Sequence, residues 1–385
     1  SLSDDIGEPA PVPFYTEEPQ ARANTLASSL TPPLAQGLPS WTELAPVIQT
    51  SLKYARTHEP EQVAVAHGDL AVTWGDVVNA LVRLESLLPR LDKERELLAQ
   101  QFRWIRLTEG ASFSGYYEPL VMASRVRKGG YSQPLYRLPG DLEQLELGRF
   151  QPLLTGQRLV YRMEKGKPVP YYDREEIDGR KGVLRGRGLE LAWVDPVDAY
   201  FLQVQGSGRL QFEDGTETAL LYAGTNGRPY LSIGQYLSGL GLIPADSVSM
   251  QSIRKWLRDN PEELENVLYR NRRYVFFREA EPASGPVGSM GVPITPFVTL
   301  AVDRETFPLG ALLAFDVELP DPAGELSPEG GVKAFSDLRG LGIAQDAGEA
   351  IRGSRIDLFC GKGERAAFIA GHLNRHGEVW MLLAK

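Results

Sequence analysis

The chain has 385 residues, more than one compact core usually holds, so two domains are expected. Its 42% hydrophobic and 24% charged content is that of a globular protein, while a net charge of −9 speaks against nucleic acid and against general adhesion to anionic lipid. No run approaches the ~18 apolar residues that span a bilayer.

The opening residues SLSDD carry neither a basic n-region nor an apolar h-region, so no signal peptide is expected in them. Residues 1–38 read as a Pro-rich arm, in which Pro9, Pro11, Pro13, Pro19, Pro32 and Pro33 are expected to deny regular structure. Ser40 can cap a helix over residues 41–56, with Leu44, Val47, Ile48, Leu52 and Ala55 at helical spacing. A second helical run covers 73–101 and is broken by Pro89. At Thr108 the texture changes. LTEGASFSGYYEPLVMAS reads as a short strand pair around Gly110, and β-type runs follow, including GLELAWVDPVDAYFLQVQGSGRLQF. Residues 252–271 are helical and split by Pro261, and 271–278 return to strand. The Gly/Pro-rich stretch 284–296 is a candidate boundary. Beyond it the chain is β-rich, apart from a helix over about 364–375.

The stretch AQDAGEAIRGSRIDLFCGKG (344–363) places Asp346 in a Gly-rich turn and Asp357 among strand residues. By itself it reads as a turn cap and a carboxylate on the wet face of an edge strand. The single cysteine, Cys360, permits no internal disulfide and has no evident basic partner, so thiolate catalysis is not expected. His372 and His376, four apart on the expected helix, lack a third ligand, so neither metal nor cofactor is expected. Gly206-Ser207-Gly208 lacks the nucleophile-elbow pattern and reads as a backbone bend. Tyr116, Tyr117, Tyr136, Tyr171, Tyr172, Trp193, Tyr222 and Tyr230, several beside amides, would suit a polysaccharide groove; each alone reads rather as a core or sheet-face ring.

Ordered motifs go further. GLPSW (37–41), FSGYYEP (113–119), DAYFLQVQGSGRL (198–210), YAGTNGRPY (222–230), SIGQYL (232–237) and SMQSIRKWL (249–257) come first. YVFF (274–277), LAVDRETFPLG (300–310), AQDAG (344–348) and IDLFCGKG (356–363) follow. Together they resemble the membrane-bound lytic murein transglycosylase A family, from about residue 37 to the C-terminus. The C-terminal part resembles the module named for three aspartates, matched here by Asp303, Asp346 and Asp357.

The resemblance implies a mainly β fold with helices. A double-psi β-barrel domain would comprise 39–120, with N-terminal helices, and 285–385. A second β domain, 121–284, would be inserted to form the other wall of a substrate groove. It implies cleavage of the MurNAc-β-1,4-GlcNAc bond of peptidoglycan without hydrolysis, giving 1,6-anhydro ends. Asp357 would act as acid and then base, Asp346 and Asp303 as supporting carboxylates, and Tyr117, Gln205, Gly206 and Ser207 as groove residues. The implied partner is a glycan strand, with proteins of a wall-synthesis complex as further candidates, and a monomer in the periplasm, soluble or anchored to the outer membrane as a lipoprotein. Two readings compete: an inverting hydrolase using Asp346 or Asp303 to activate water, and a non-catalytic, expansin-like wall-binding protein.

Overall fold

The computed structural model describes residues 15–154, 156–348 and 350–385. Pro9, Pro11 and Pro13 lie outside these residues. The rest of the expected arm does not behave as one. It forms β1 (Tyr15–Glu17), α1 (Gln20–Ser28) and a 3-10 turn, Pro33–Gln36. Its prolines sit where the chain needs no amide donor: Pro19 just before α1 and Pro33 at the first position of the turn. Ala23, Leu26, Ala27 and Leu30 bury against the main core. Gln36, 1% exposed, donates to the carbonyls of Phe297 and Leu341, so nothing polar is orphaned by this docking.

Next come α2 (Ala45–Ala55), the hairpin β2 (Val63–His67) and β3 (Leu70–Thr73), and α3 (Trp74–Leu91). Thr73 and Asp76 form a reciprocal capping box, the kind of cap worth about 1 kcal/mol. Val77, Leu81, Leu84 and Leu88 give α3 its buried stripe. Pro89 lies within the last turn instead of ending the helix. α4 (Leu97–Gln101), β4 (Phe102–Leu107) and β5 (Ala111–Glu118) complete the segment. β4 and β5 do not pair with each other as a hairpin around Gly110; both pair with a strand from the far end of the chain.

Residues 120–280 form separate small sheets. Their elements are β6 (Leu120–Ala123), β7 (Gln133–Tyr136), β8 (Glu143–Glu146), β9 (Arg158–Glu164), β10 (Lys167–Pro170), α5 (Arg174–Asp178) and β11 (Glu190–Val194). There follow α6 (Pro196–Gln205), β12 (Gly208–Phe212), β13 (Glu217–Thr225), α7 (Ile233–Gly239), α8 (Met250–Asp259), α9 (Leu264–Leu268) and β14 (Val275–Ala280). The run 196–205, read above as β-type, is helical. Asp195 caps it through the amides of Val197 and Asp198, Pro196 opens it, and Gly206 ends it at a φ of 84°.

The last part supplies β15 (Thr299–Ala301), β16 (Leu312–Pro320), β17 (Phe335–Asp346), β18 (Arg355–Lys362), α10 (Glu364–His372) and β19 (Asn374–Ala384). Following the pairings from β19 through β16, β17, β15, β18 and β5 returns to β19, a closed six-stranded barrel. Two of its contacts, β15–β17 and β5–β18, are parallel. One core joins the barrel interior to the N-terminal helices, whereas 120–280 is held by three smaller apolar clusters. No helix among the described residues is long and apolar enough to cross a membrane.

Candidate active site

Strand alternation sorts the residues of β18. Ile356, Leu358 and Cys360 enter the barrel core, so Arg355, Asp357 and Phe359 share the opposite face. On the neighbouring β5, Ala111, Phe113 and Tyr117 are core residues, while Ser114 and Tyr116 share the face of Asp357. The register sets Ser114 opposite Asp357, and the Ser114 hydroxyl donates to Asp357 Oδ1 at 3.0 Å. Arg355 donates to the same hydroxyl oxygen from Nε and Nη2, each at 3.4 Å. Burial pushes the Asp357 carboxyl up to about 6; Arg355 and the Ser114 hydrogen bond hold it down, and the negative charge of Asp346 adds to the rise. The apolar neighbours Ile356 and Leu358 are not the source of this environment, because they face the other way.

Asp346 reaches the same place from β17. Both aspartates are register partners of Ala301 on β15, one on each side of that strand. Two strand spacings put their Cα atoms about 10 Å apart. Asp346 is heavily hydrogen-bonded. Oδ1 accepts from the Ser289 amide (2.9 Å), the Ser289 hydroxyl (2.8 Å) and the Ala347 amide (2.9 Å), and Oδ2 accepts from the Tyr116 hydroxyl (3.0 Å). Burial raises its carboxyl while these bonds oppose the rise. Gly288 permits the approach of the Ser289 turn, since a Cβ there would meet the Gln345 carbonyl at 2.7 Å.

Asp303, 8% exposed, lies two residues beyond β15 and serves a different end. Its carboxylate accepts from the amides of Glu305 (3.0 Å) and Gly353 (2.7 Å), pinning the loop before β18. Among the described residues it makes no hydrogen bond to Asp346 or Asp357. Tyr117 is buried in the main core, and its hydroxyl donates to Met250 Sδ at the start of α8, at 3.7 Å. Its amide, not its ring, meets Gln205, donating to Oε1 at 3.0 Å. Gln205 ends α6, so this bond ties the inserted segment to the barrel next to Ser114 and Tyr116. Gly206 and Ser207 follow directly and are half-buried. The tie is reinforced by Glu118, at the end of β5, which pairs with Arg209 at 2.6 Å. Arg209 also donates to the carbonyls of Pro282 and Ser284.

Several residues here carry no role in the sequence reading: Ser114, Arg355, Ser289 and the hydroxyl of Tyr116. Period-two alternation through FSGYYEP and SRIDLF would have found three of them. Tyr230, from the inserted segment, is among the aromatics named for a groove. Burial raises its hydroxyl, and the charges of Arg355 and Asp357 both act on it, which places it in their neighbourhood. His372 and His376 do not share a helix: α10 ends at His372, whose Nδ1 lies 2.8 Å from the Phe368 carbonyl, and His376 is on β19. Among the described residues no three potential ligands cluster as a metal site. Cys360 is buried, and burial pushes its thiol well up.

Two family models match the chain in order, the MltA specific insert domain over residues 112–278 and the 3D domain over residues 298–383. The fold and these matches define a barrel of the three-aspartate class that carries a family-specific insert. Both matches, together with the curated relatives, support the membrane-bound lytic murein transglycosylase A family. Membrane-bound lytic murein transglycosylase A of Vibrio cholerae is 32% identical over 274 residues, which are 70% of this chain and 64% of that protein. The chain thus spans less than two thirds of this curated relative. A membrane-bound lytic murein transglycosylase from Agrobacterium tumefaciens superposes with a TM-score of 0.74 at 29% identity, covering 96% of this chain and 97% of that one. Escherichia coli MltA with bound chitohexaose gives 0.65 at 26% identity, covering 89% and 90%.

Proposed function

We propose that the protein is a lytic transglycosylase of the cell envelope that cleaves the MurNAc-β-1,4-GlcNAc bond of peptidoglycan and leaves 1,6-anhydro ends. Asp357, protonated at the start, donates to the leaving glycosidic oxygen. The resulting carboxylate takes the proton from the muramoyl 6-hydroxyl as that oxygen attacks its own C1. The nucleophile is tethered to the reacting carbon, so its effective concentration is high and no second catalytic carboxylate is required. A carboxyl pushed up to about 6 is suited to both halves of this cycle near neutral pH.

The observation that carries the reading is the contrast between the two acids. An inverting hydrolase needs a free carboxylate to activate water. Asp346 is bound by four donors and keeps no accessible role of that kind, while Asp357 holds a single hydroxyl. Asp346 therefore acts by charge, adding to the burial that keeps Asp357 protonated, and Asp303 acts by holding the 350–354 loop. The groove runs between the barrel, residues 39–120 with 285–385, and the insert, residues 121–284. Gln205, Gly206, Ser207 and Tyr230 supply the insert wall. The glycan bound to the Escherichia coli relative fits this assignment, as does a periplasmic site of action. Digestion of purified peptidoglycan followed by mass spectrometry tests the reading. Muropeptides one water lighter than hydrolysis products support it; reducing ends would replace it with a hydrolase, and an absence of soluble fragments with a wall-binding protein.

A further inference from the structure

The inserted segment encloses a cavity of about 370 Å³, and none of the barrel residues described above lines it. Its volume is in the range of small-ligand sites. On its wall is Arg174, 3% exposed. Arg174 Nε donates to the Asn271 carbonyl (2.8 Å) and Nη2 to Gln203 Oε1 (3.0 Å) and the Arg273 carbonyl. The rings of Tyr200 and Tyr274 lie 5.0 and 5.1 Å from its Cζ. Every one of these partners is neutral. Among the described residues Nη1 has no hydrogen-bond partner, and no carboxylate stands at ion-pair distance. A buried guanidinium with no carboxylate in contact is costly, because carbonyl dipoles and ring faces replace only part of its lost hydration.

Asp178 lies one turn further along α5 and also lines the cavity. Its Oδ1 accepts from Gln133 Nε2 and from the Tyr274 hydroxyl, both at 2.9 Å. Its Oδ2 has no partner among the described residues. The charge of Arg174 acts on Asp178, so the two are electrostatic neighbours that do not touch. The rim repeats the pattern: Arg127 and Arg185 stand with Glu190 and Glu265. Positive and negative groups balance. An inorganic anion would leave the carboxylates unanswered, and a neutral sugar would leave both signs so. Trp193 and Tyr269 add flat apolar wall.

We propose that this cavity binds a short zwitterionic peptide, its carboxylate on Arg174 and its ammonium on Asp178. With the substrate class proposed above, the occupant is the stem peptide of peptidoglycan, whose diaminopimelate end carries both groups on one carbon; that identification rests on the transglycosylase reading. The cavity would then select strands by their peptides while Asp357 acts on the sugar.

The experiment is calorimetric titration of the full chain with the tripeptide L-alanyl-γ-D-glutamyl-meso-diaminopimelate, which has no glycosidic bond to cleave. One saturable site is expected. Asp178→Asn, whose side-chain oxygen still accepts from Gln133 and Tyr274, should weaken binding about tenfold or more, as loss of a charge-assisted hydrogen bond does. Acetylation of the diaminopimelate amine should weaken it comparably on the wild type, with no change to the protein. No saturable binding, or an affinity indifferent to both changes, overturns the proposal. Binding by a protein that releases nothing from peptidoglycan would leave the cavity assignment standing and remove the catalytic one. Cleavage without tripeptide binding would do the reverse.

Discussion

Asp357 on the barrel and Asp178 in the insert are both pushed up to about 6, in each case by burial first and against a nearby arginine. What separates them is company. Asp178 is fixed by a phenol and an amide on one oxygen, and its charged neighbours include Arg174 and Arg185. Asp357 holds one hydroxyl and has a second carboxylate beyond Ala301. A raised carboxyl alone therefore does not mark a general acid. A raised carboxyl beside another whose own oxygens are already occupied is the better candidate, and the proposed reading divides the pair into a proton carrier and a fixed charge.

The sharpest break in this comparison is Asp357→Asn. Release of muropeptides from peptidoglycan should fall by about 10²–10⁴-fold, the usual worth of a general acid, with an unchanged circular dichroism spectrum. Near-normal turnover in that variant would remove the mechanism. Next in size are the neighbours. Activity that needs protonated Asp357 declines as pH rises above about 6. Asp346→Asn removes a negative charge, so this alkaline limb should move to lower pH and the rate at pH 7 should fall by about tenfold. Arg355→Gln removes the opposing cation and should move the limb to higher pH. Limbs that move in the same direction would contradict the assigned roles.

Stability gives a smaller test that the two acids share. Each folded carboxyl lies at about 6 against 3.8 for the free group, so the folded state binds the proton more tightly. Stability is therefore lost as pH rises from about 4 to about 6, by about 3 kcal/mol per group. Asp357→Asn and Asp178→Asn should each flatten that decline and raise the urea midpoint at pH 7. Asp303→Ala should do the opposite: stranding the amides of Glu305 and Gly353 costs about 1–3 kcal/mol, with a much smaller effect on kcat than Asp346→Asn.

These contrasts also mark what could be read from the chain alone. Asp346 and Asp357 stand out in sequence as acids in a glycine-rich, partly apolar stretch. Their separation in role depends on Ser289 and Tyr116, which are 57 and 230 residues from Asp346. No local pattern encodes such partners. The barrel is hidden for the same reason, since β5 closes it only by meeting β18 and β19 from the far end of the chain. Helix α6 is legible in Asp195, Pro196 and Gly206, its start and stop signals, although the apolar run between them has the composition of a strand. The N-terminal prolines misled because they were read as breakers, where two of them serve as starters.

The pair Glu118–Arg209 has one further consequence. Glu118 is the last residue of a strand that closes the barrel and also carries Ser114 and Tyr116, the donors to both aspartates. The insert is thus tied to the very strand that hydrogen-bonds both aspartates. It is not an accessory that could be trimmed or exchanged freely. Deleting 120–280 would leave the Glu118 carboxylate without its cation and free the end of β5 just beyond Tyr116. Among the described residues the distant sheets of the insert are free of such ties, whereas the junction through Glu118, Tyr117 and Gln205 couples the insert's shape to the strand that holds Ser114 and Tyr116.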